Sequence, residues 1–114
     1  MNCPLFGYGY MGKIRYAVLV QPGLLSRAGR ALGQIRHGGR LLVVTDRTVA
    51  RLHGPRFLAS VRRAGFDVDL IALPPGERSK SLATVRRICE RWARLGVDRR
   101  SLGAALGGGV VSDV

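Results

Sequence analysis

Three consecutive glycines near the end of the sequence are the residues best suited to hold a ligand. Gly107, Gly108 and Gly109 follow a small apolar run and precede Val110 and Val111. Glycine permits positive φ and lets a large group come close, because it has no Cβ. A strand, a glycine turn and a helix start in succession attract anions through free N–H groups and the helix dipole. The triplet therefore indicates a phosphate or pyrophosphate site, and a close-packed turn is the alternative.

An acidic residue ends the apolar run of residues 41–45. Asp46 could accept a hydrogen bond from a ribose hydroxyl, the usual role of an acid at this place in a dinucleotide-binding fold. It could equally be the N-cap of the helical turn that follows. The two roles are compatible, so the sequence leaves both open.

A turn rich in proline and serine, residues 74–81, precedes the most regular helical pattern of the chain. Lys80 lies at the start of that helix, where a positive charge opposes the helix dipole at a cost of about 0.3–1 kcal/mol. A bound anion would explain this position, and a solvated loop lysine is the plain alternative. Glu77 could accept from a hydroxyl group, and Ser79 or Ser81 could cap the helix.

The apolar pattern predicts strands and helices in alternation. Strands are expected at residues 15–20, 41–45, 67–73 and 102–106. Helices are expected at residues 24–35 and 82–95, and between them a short helical turn and a helix separated by Gly54 and Pro55. This order is typical of an open parallel sheet with right-handed crossovers. Ligands bind beyond the carboxyl ends of such strands, so Asp46, Lys80 and the glycine triplet should share one rim.

Other parts of the sequence are expected to be structural. Residues 1–14 are predicted to be a loose leader before one domain at residues 15–114. Gly7, Gly9 and Gly12 match G-x-G-x-x-G, but that pattern indicates a dinucleotide loop only between a strand and a helix, so an ordinary flexible terminus is favoured. Cys89 and Trp92 fall on the apolar face of the last helix and are expected in the core.

Composition narrows the classes of function. The net charge is +12, almost all of it from arginine, which suits a polyanionic partner. The arginines are dispersed with hardly any aromatic residues between them, so nucleic-acid binding is not favoured. No apolar run approaches the roughly 20 residues of a membrane span. No signal peptide is visible, and two isolated cysteines fit a reducing compartment, so a cytoplasmic location is expected.

Three segments together resemble the N-terminal domain of 3-dehydroquinate synthase and of other sugar-phosphate cyclases. They are T-D-R-T-V at residues 45–49, L-P-P-G-E-R-S-K-S-L at 73–82, and D-R-R-S-L-G-A-A-L-G-G-G-V-V-S-D at 98–113. The resemblance runs from about Tyr16 to the end and covers about the first third of a family member. It implies a Rossmann-like parallel sheet with flanking helices that ends before a C-terminal α-helical domain for metal and substrate.

The resemblance also implies that the domain binds NAD. Asp46 would lie by the adenosine ribose. Two further segments would hold the cofactor: Pro75, Gly76, Glu77, Arg78, Ser79 and Lys80 in the turn, and Gly109, Val110, Val111, Ser112 and Asp113 along its pyrophosphate and nicotinamide side. Ser112 stands where the family usually has glycine, which brings a side chain close to the cofactor.

The implied activity is the conversion of a sugar phosphate into a carbocycle, a lyase step of the shikimate pathway to aromatic amino acids. In the family, NAD briefly oxidises a substrate hydroxyl, phosphate leaves and the ring recloses, while a divalent metal, zinc or cobalt, holds the substrate. Neither His37 nor His53 matches a metal ligand, so no catalytic or metal-binding residue is expected here. A homodimer is implied for the full-length enzyme. The alternatives are an inactive, truncated cyclase remnant and a basic polyanion-binding module.

Overall fold

The computed structural model describes residues 5–11, 14–35, 38–109 and 111. Its centre is a three-stranded parallel sheet, and a separate two-stranded antiparallel sheet precedes it in the chain. The strands are β1 (Leu5–Met11), β2 (Ile14–Leu19), β3 (Gly39–Asp46), β4 (Phe66–Leu73) and β5 (Leu102–Leu106). The helices are α1 (Ala28–Gly33), α2 (Arg47–Arg63) and α3 (Leu82–Arg94), with 3₁₀ turns at Leu24–Arg27 and Glu77–Ser79.

The central strand of the parallel sheet is β3, with β4 on one side and β5 on the other. Leu41 and Val43 face α2 and pack against Phe57. Val44 points to the opposite face and packs against Ile88 of α3, because successive side chains of a strand alternate between faces. A continuous apolar run suits a strand covered on both faces. The predicted Rossmann-like architecture is confirmed.

The prediction that the first strand joins this sheet is wrong. β2 pairs antiparallel with β1, with Gly9 opposite Tyr16. Strand propensity does not specify the neighbouring strand, and a preceding strand in the chain was available to pair. β1 occupies residues expected to form a loose leader, where aromatic residues at alternate positions favour a strand. Gly7 and Gly9 therefore lie within a strand, and Gly12 lies outside the described residues. The domain boundary at residue 14 stays a prediction.

The expected break at Gly54 and Pro55 is also wrong, because α2 continues through it. Proline removes one helical hydrogen bond and crowds the preceding turn, which disfavours a helix interior. Phe57 and Val61, buried on the inner face of α2, lie in the same helix as the proline. Burial of that face stabilises the helix, since tertiary packing routinely outweighs local propensity.

The segment before β3 contains less α-helix than the expected residues 24–35. Its first part, Leu24–Arg27, is a 3₁₀ turn that leads into α1. α1 lies very close to α2 at Gly29, whose N–H donates to Ser60 Oγ at 2.9 Å. A Cβ on Gly29 would fall 2.2 Å from the Ser60 carbonyl oxygen and 2.8 Å from Ala64 Cβ. The glycine is therefore what allows this helix contact.

Polar contacts fix α3 to the sheet. Arg91 forms a two-pronged hydrogen bond with Asp69 of β4, from Nε to Oδ2 at 3.1 Å and from Nη2 to Oδ1 at 2.8 Å. This hydrogen bond, together with the nearby carboxylate charge, raises the pKa of Arg91. Arg40 of β3 donates to the Leu95 carbonyl at the end of α3.

None of the helices in the described ranges combines the length and apolarity that crossing a membrane requires.

Candidate functional site

The three parallel strands end at one edge of the sheet, which we call the carboxyl rim. Asp46 pairs in register with Leu73, and Thr45 pairs with Leu106. The segments that follow these strands consequently emerge side by side. The rim comprises Asp46, residues 74–81 and residues 107–109, which are the three segments that the sequence predicted to share an edge.

The rim contains a point where the chain changes face. After β3 the chain enters α2, whose Phe57 packs on the same face as Leu41. After β5 the chain returns over the other face, because Val111 packs with Ile88 of α3. Neighbouring strands whose chains leave toward opposite faces form a crevice at their carboxyl ends, the usual ligand site of open α/β sheets. Asp46 and residues 107–109 flank this crevice.

The three glycines beside the crevice differ in their surroundings. Gly107 has φ +151°, and a Cβ there would lie 2.9 Å from Val111 Cγ2. It is therefore a close-packed turn residue. Gly108 and Gly109 lack positive φ, and a Cβ on either would meet no atom within 4 Å. Neither backbone strain nor packing requires glycine at these two positions, and both leave open space for a bound group.

Of the predicted site residues after the glycines, Val111 is the one that the structure describes. Val111 is 5% exposed and belongs to the core beneath Gly107. Its side chain is therefore structural, and only its backbone could face a ligand. Val110, Ser112 and Asp113 lie outside the described residues.

Asp46 is the N-cap of α2, as one of its two predicted roles required. Its backbone is extended, and Oδ1 accepts a hydrogen bond from the Val49 N–H at 2.7 Å. A carboxylate has two oxygens and about four acceptor sites. The cap uses one of them, so the geometry is compatible with a second role for Asp46 as acceptor from a ligand hydroxyl.

The turn after β4 has a defined internal structure. Gly76 has φ +106°, a value that favours glycine. Ser79 is 5% exposed, and its hydroxyl donates to the Pro74 carbonyl at 2.5 Å. Ser79 thus holds the turn closed, whereas Pro75 and Arg78 are exposed on its surface.

Lys80 is paired within the same turn. Its Nζ lies 3.1 Å from Glu77 Oε2, and its side chain is 38% exposed. Ser81 caps α3 by accepting from the Thr84 N–H at 3.1 Å, so Lys80 precedes the helix. The Glu77 carboxylate already offsets the lysine charge, and the position of Lys80 therefore does not by itself require a bound anion.

Sequence reasoning missed an apolar groove between α3 and β5. It has a volume of about 260 Å³. Its lining residues are Val44, Val85, Ile88, Cys89, Trp92, Gly103, Ala104, Ala105 and Val111.

The groove corrects the expectation that Cys89 is a core residue, because its thiol is free and the residue exposed. Trp92 is half-buried, and its buried Nε1 has no hydrogen-bond partner among the described atoms. The run of small residues 103–105 was the available signal, since small side chains opposite large ones leave space.

Metal-ligating side chains do not cluster in the part of the chain that the structure describes. Among those residues no group of three His, Cys, Asp or Glu side chains could hold a metal ion. His53 is exposed on α2, and His37 lies outside the described ranges. The acceptor at Asp46 and the open positions at Gly108 and Gly109 make the rim a candidate site for an organic ligand with hydroxyl and phosphate groups.

Comparison with known proteins identifies similar chains. A family profile described as the 3-dehydroquinate synthase N-terminal region matches residues 70–114. A 3-dehydroquinate synthase from Synechococcus sp. is 43% identical over 101 residues, which cover 87% of this chain and 27% of that protein. A 3-dehydroquinate synthase from Pelotomaculum thermopropionicum is 41% identical over 104 residues, which cover 91% of this chain and 28% of that protein.

A solved structure shares the fold at higher coverage. The 2-epi-5-epi-valiolone synthase from Streptomyces hygroscopicus subsp. jinggangensis, with NAD⁺ and Zn²⁺ bound, aligns with a TM-score of 0.74 at 30% identity. The alignment covers 95% of this chain and 29% of that one. The chain thus spans little more than a quarter of the length of the relatives that it matches.

Proposed function

Because the chain belongs to the 3-dehydroquinate synthase family, as a segment that matches the N-terminal part of its members, we propose that it is the NAD-binding part of a 3-dehydroquinate synthase-like enzyme. The observation that carries the proposal is the crevice between the neighbouring strands β3 and β5, because Asp46 ends β3 and two glycines with open Cβ positions, Gly108 and Gly109, follow β5. The related valiolone synthase has NAD⁺ and Zn²⁺ bound, which supports the choice of dinucleotide.

The residues of the rim fit the parts of a dinucleotide. Gly108 and Gly109 leave room where a Cβ would otherwise stand, so a pyrophosphate can approach the backbone. Asp46 keeps acceptor capacity for a ribose hydroxyl beside its cap bond. Lys80 and Glu77, on the turn after β4, offer a cation and a further acceptor. Pro75, Gly76, Arg78 and Ser79 shape that turn.

The bound NAD would supply reversible hydride acceptance from a substrate hydroxyl. The part played by this chain is to bind and orient the cofactor and to hold its pyrophosphate at the crevice. The described residues do not form a metal site, so we assign no metal-dependent step to them. For the whole enzyme we propose carbocycle formation from a sugar phosphate, in the cytoplasmic synthesis of aromatic amino acids, by a homodimer.

A glycine-to-alanine pair tests NAD binding at the rim. We expect Gly109→Ala to weaken NAD⁺ binding about tenfold, because an added methyl in an occupied contact is unfavourable by about 1–3 kcal/mol. Gly103→Ala is the matched control, since its Cβ also meets no atom within 4 Å but it lies in β5, away from the rim. Isothermal titration of both variants and the unaltered chain measures the dissociation constants.

Two results would overturn the proposal. One is a folded chain, by circular dichroism, that does not bind NAD⁺. The other is equal NAD⁺ affinity in Gly109→Ala and the unaltered chain, which would place the cofactor away from the glycines.

A further inference from the structure

Positive charge is distributed unevenly over the two faces of the sheet. Residues 21–63 contain nine arginines and one acidic residue, Asp46. Five of the seven acidic residues lie between residues 67 and 98, and Arg86 and Arg91 of α3 pair with Glu90 and Asp69. Seven of these nine arginines lie in the 3₁₀ turn at Leu24–Arg27, in α1 and in α2, so this layer is strongly basic.

A cleft lies within this basic layer, between the 3₁₀ turn, α1 and the C-terminal part of α2. Its volume is about 350 Å³, within the usual range of small-molecule sites. Every polar side chain of its lining is an arginine or a serine, and none is a carboxylate. The lining residues are Ser26, Arg27, Arg30, Ser60, Arg63 and Ala64.

The donors of this cleft are partly fixed in place. Ser60 is 7% exposed, and its Oγ accepts from the Gly29 N–H, which leaves its own hydroxyl hydrogen to donate. Arg27 Nη2 donates to the Pro22 carbonyl at 2.7 Å, which restrains that guanidinium. Within the described ranges neither Arg30 nor Arg63 takes part in an ion pair. Their donors are therefore available to an anion.

We propose that this cleft, formed by Arg27, Arg30, Ser60 and Arg63, binds a small phosphate-bearing anion such as a phosphate monoester or pyrophosphate. Guanidinium groups bind phosphate through two parallel hydrogen bonds, and a buried hydroxyl adds a donor from below. The site is separate from the carboxyl rim. α2 starts at the rim and is 17 residues long, so Arg63 lies roughly 25 Å from it.

Titration with inorganic pyrophosphate tests the cleft. The full chain, the double variant Arg30→Gln/Arg63→Gln and the control Arg62→Gln are compared at constant ionic strength by isothermal titration. Arg62 carries the same charge as its neighbour Arg63 and lies in the same helix, α2, but it does not line the cleft. We expect the double variant to bind at least about tenfold more weakly and Arg62→Gln to bind with nearly unchanged affinity.

A variant of the carboxyl rim tests whether the cleft is independent of NAD⁺ binding. A second anion, an oligonucleotide, tests whether the cleft prefers pyrophosphate to nucleic acid. Lys80→Ala should leave pyrophosphate binding in place while it weakens NAD⁺ binding, so failure of one proposal does not decide the other. A short oligonucleotide serves as the phosphodiester arm and should bind more weakly than pyrophosphate.

Three results contradict the cleft. The first is that the folded chain does not bind pyrophosphate. The second is that Arg62→Gln and the double variant lose the same affinity for pyrophosphate. The third is that the oligonucleotide binds more tightly than pyrophosphate and that the double substitution does not change its affinity. The second and third would mean a diffuse charge effect. Circular dichroism of each variant confirms that a loss of binding is not a loss of fold.

Discussion

Three identical neighbours on the carboxyl rim have different physical reasons to be glycine. Gly107 combines positive φ with a close contact to Val111, whereas Gly108 and Gly109 have neither constraint. A residue without a local reason to be glycine is the one whose missing Cβ a ligand can use. This difference separates the part of the triplet that maintains the turn from the part that we assign to the cofactor.

Substitution of Gly107 should reduce stability without any ligand present. We expect Gly107→Ala to lower the free energy of unfolding by about 1–3 kcal/mol, because the new methyl would lie 2.9 Å from Val111 Cγ2 at a φ that alanine disfavours. Gly108→Ala should change it by less than about 0.5 kcal/mol. Urea denaturation measures both, and equal effects would refute the distinction between the two glycines.

Asp46 offers a way to separate a structural from a ligand-binding role. Asparagine caps helices about as well as aspartate, whereas alanine is unfavourable by about 0.5–2 kcal/mol. We therefore expect Asp46→Asn to retain stability and Asp46→Ala to lose it. Both should weaken NAD⁺ binding about tenfold, because an ionised acceptor makes the stronger hydrogen bond to a ribose hydroxyl. Unchanged NAD⁺ affinity in Asp46→Asn would leave Asp46 as a cap alone.

At the scale of elements, the contact between α1 and α2, which we call the seam, forms the floor of the proposed anion cleft of Arg27, Arg30, Ser60 and Arg63. Gly29 lets the two helices approach until its N–H reaches Ser60 Oγ. α1 has only six residues, too few for a stable isolated helix in water. Packing against α2 must therefore stabilise it, and the position of Arg30 depends on that packing.

A glycine pair in α1 tests the seam. We expect Gly29→Ala to reduce the free energy of unfolding by about 1–3 kcal/mol, since its Cβ would overlap the backbone of α2. Gly33→Ala, in the same helix with no atom within 4 Å of its Cβ position, should be neutral or stabilising by up to about 1 kcal/mol. Thermal or urea denaturation compares them. A tolerated Gly29→Ala would mean that the helices are farther apart than described.

At the scale of the whole molecule, the two faces of the sheet differ in chemistry. The α1–α2 face is basic and carries the anion cleft, and the α3 face is closer to neutral and carries the apolar groove. The rim between them is where the chain changes face. The carboxyl rim and the anion cleft lie on different parts of this small domain, so the two can bind unrelated ligands.

The open groove predicts a reactive thiol. In a Cys3→Ser background, Cys89 should react with a thiol reagent in the folded chain within about tenfold of its rate in urea, because it is exposed at the groove. Core groups are instead protected by the free energy of unfolding, which slows such reactions by orders of magnitude. Strong protection of Cys89 in the monomeric chain would show that the groove is covered.

The sequence alone determined most features that depend on neighbouring residues. The apolar runs at 41–45 and 102–106 and the helix of residues 82–94 follow from spacing and residue type over a few positions. The cap at Asp46 was one of two roles that the sequence left open for this residue. The family resemblance named the rim segments for the same reason, since each is a short contiguous motif. Strand existence was also correct for residues 15–20, although its partner was not.

Only the tertiary structure decided what depends on residues distant in sequence. It placed β2 in a separate sheet, continued α2 past Pro55 and packed Val111 in the core. It also brought Ser60 into one cleft with Arg27 and Arg30, and left Cys89 exposed at a groove. The physical reason is that pairing partners, burial and the balance of charge on a face arise from packing between elements, and no local pattern encodes which element will lie opposite.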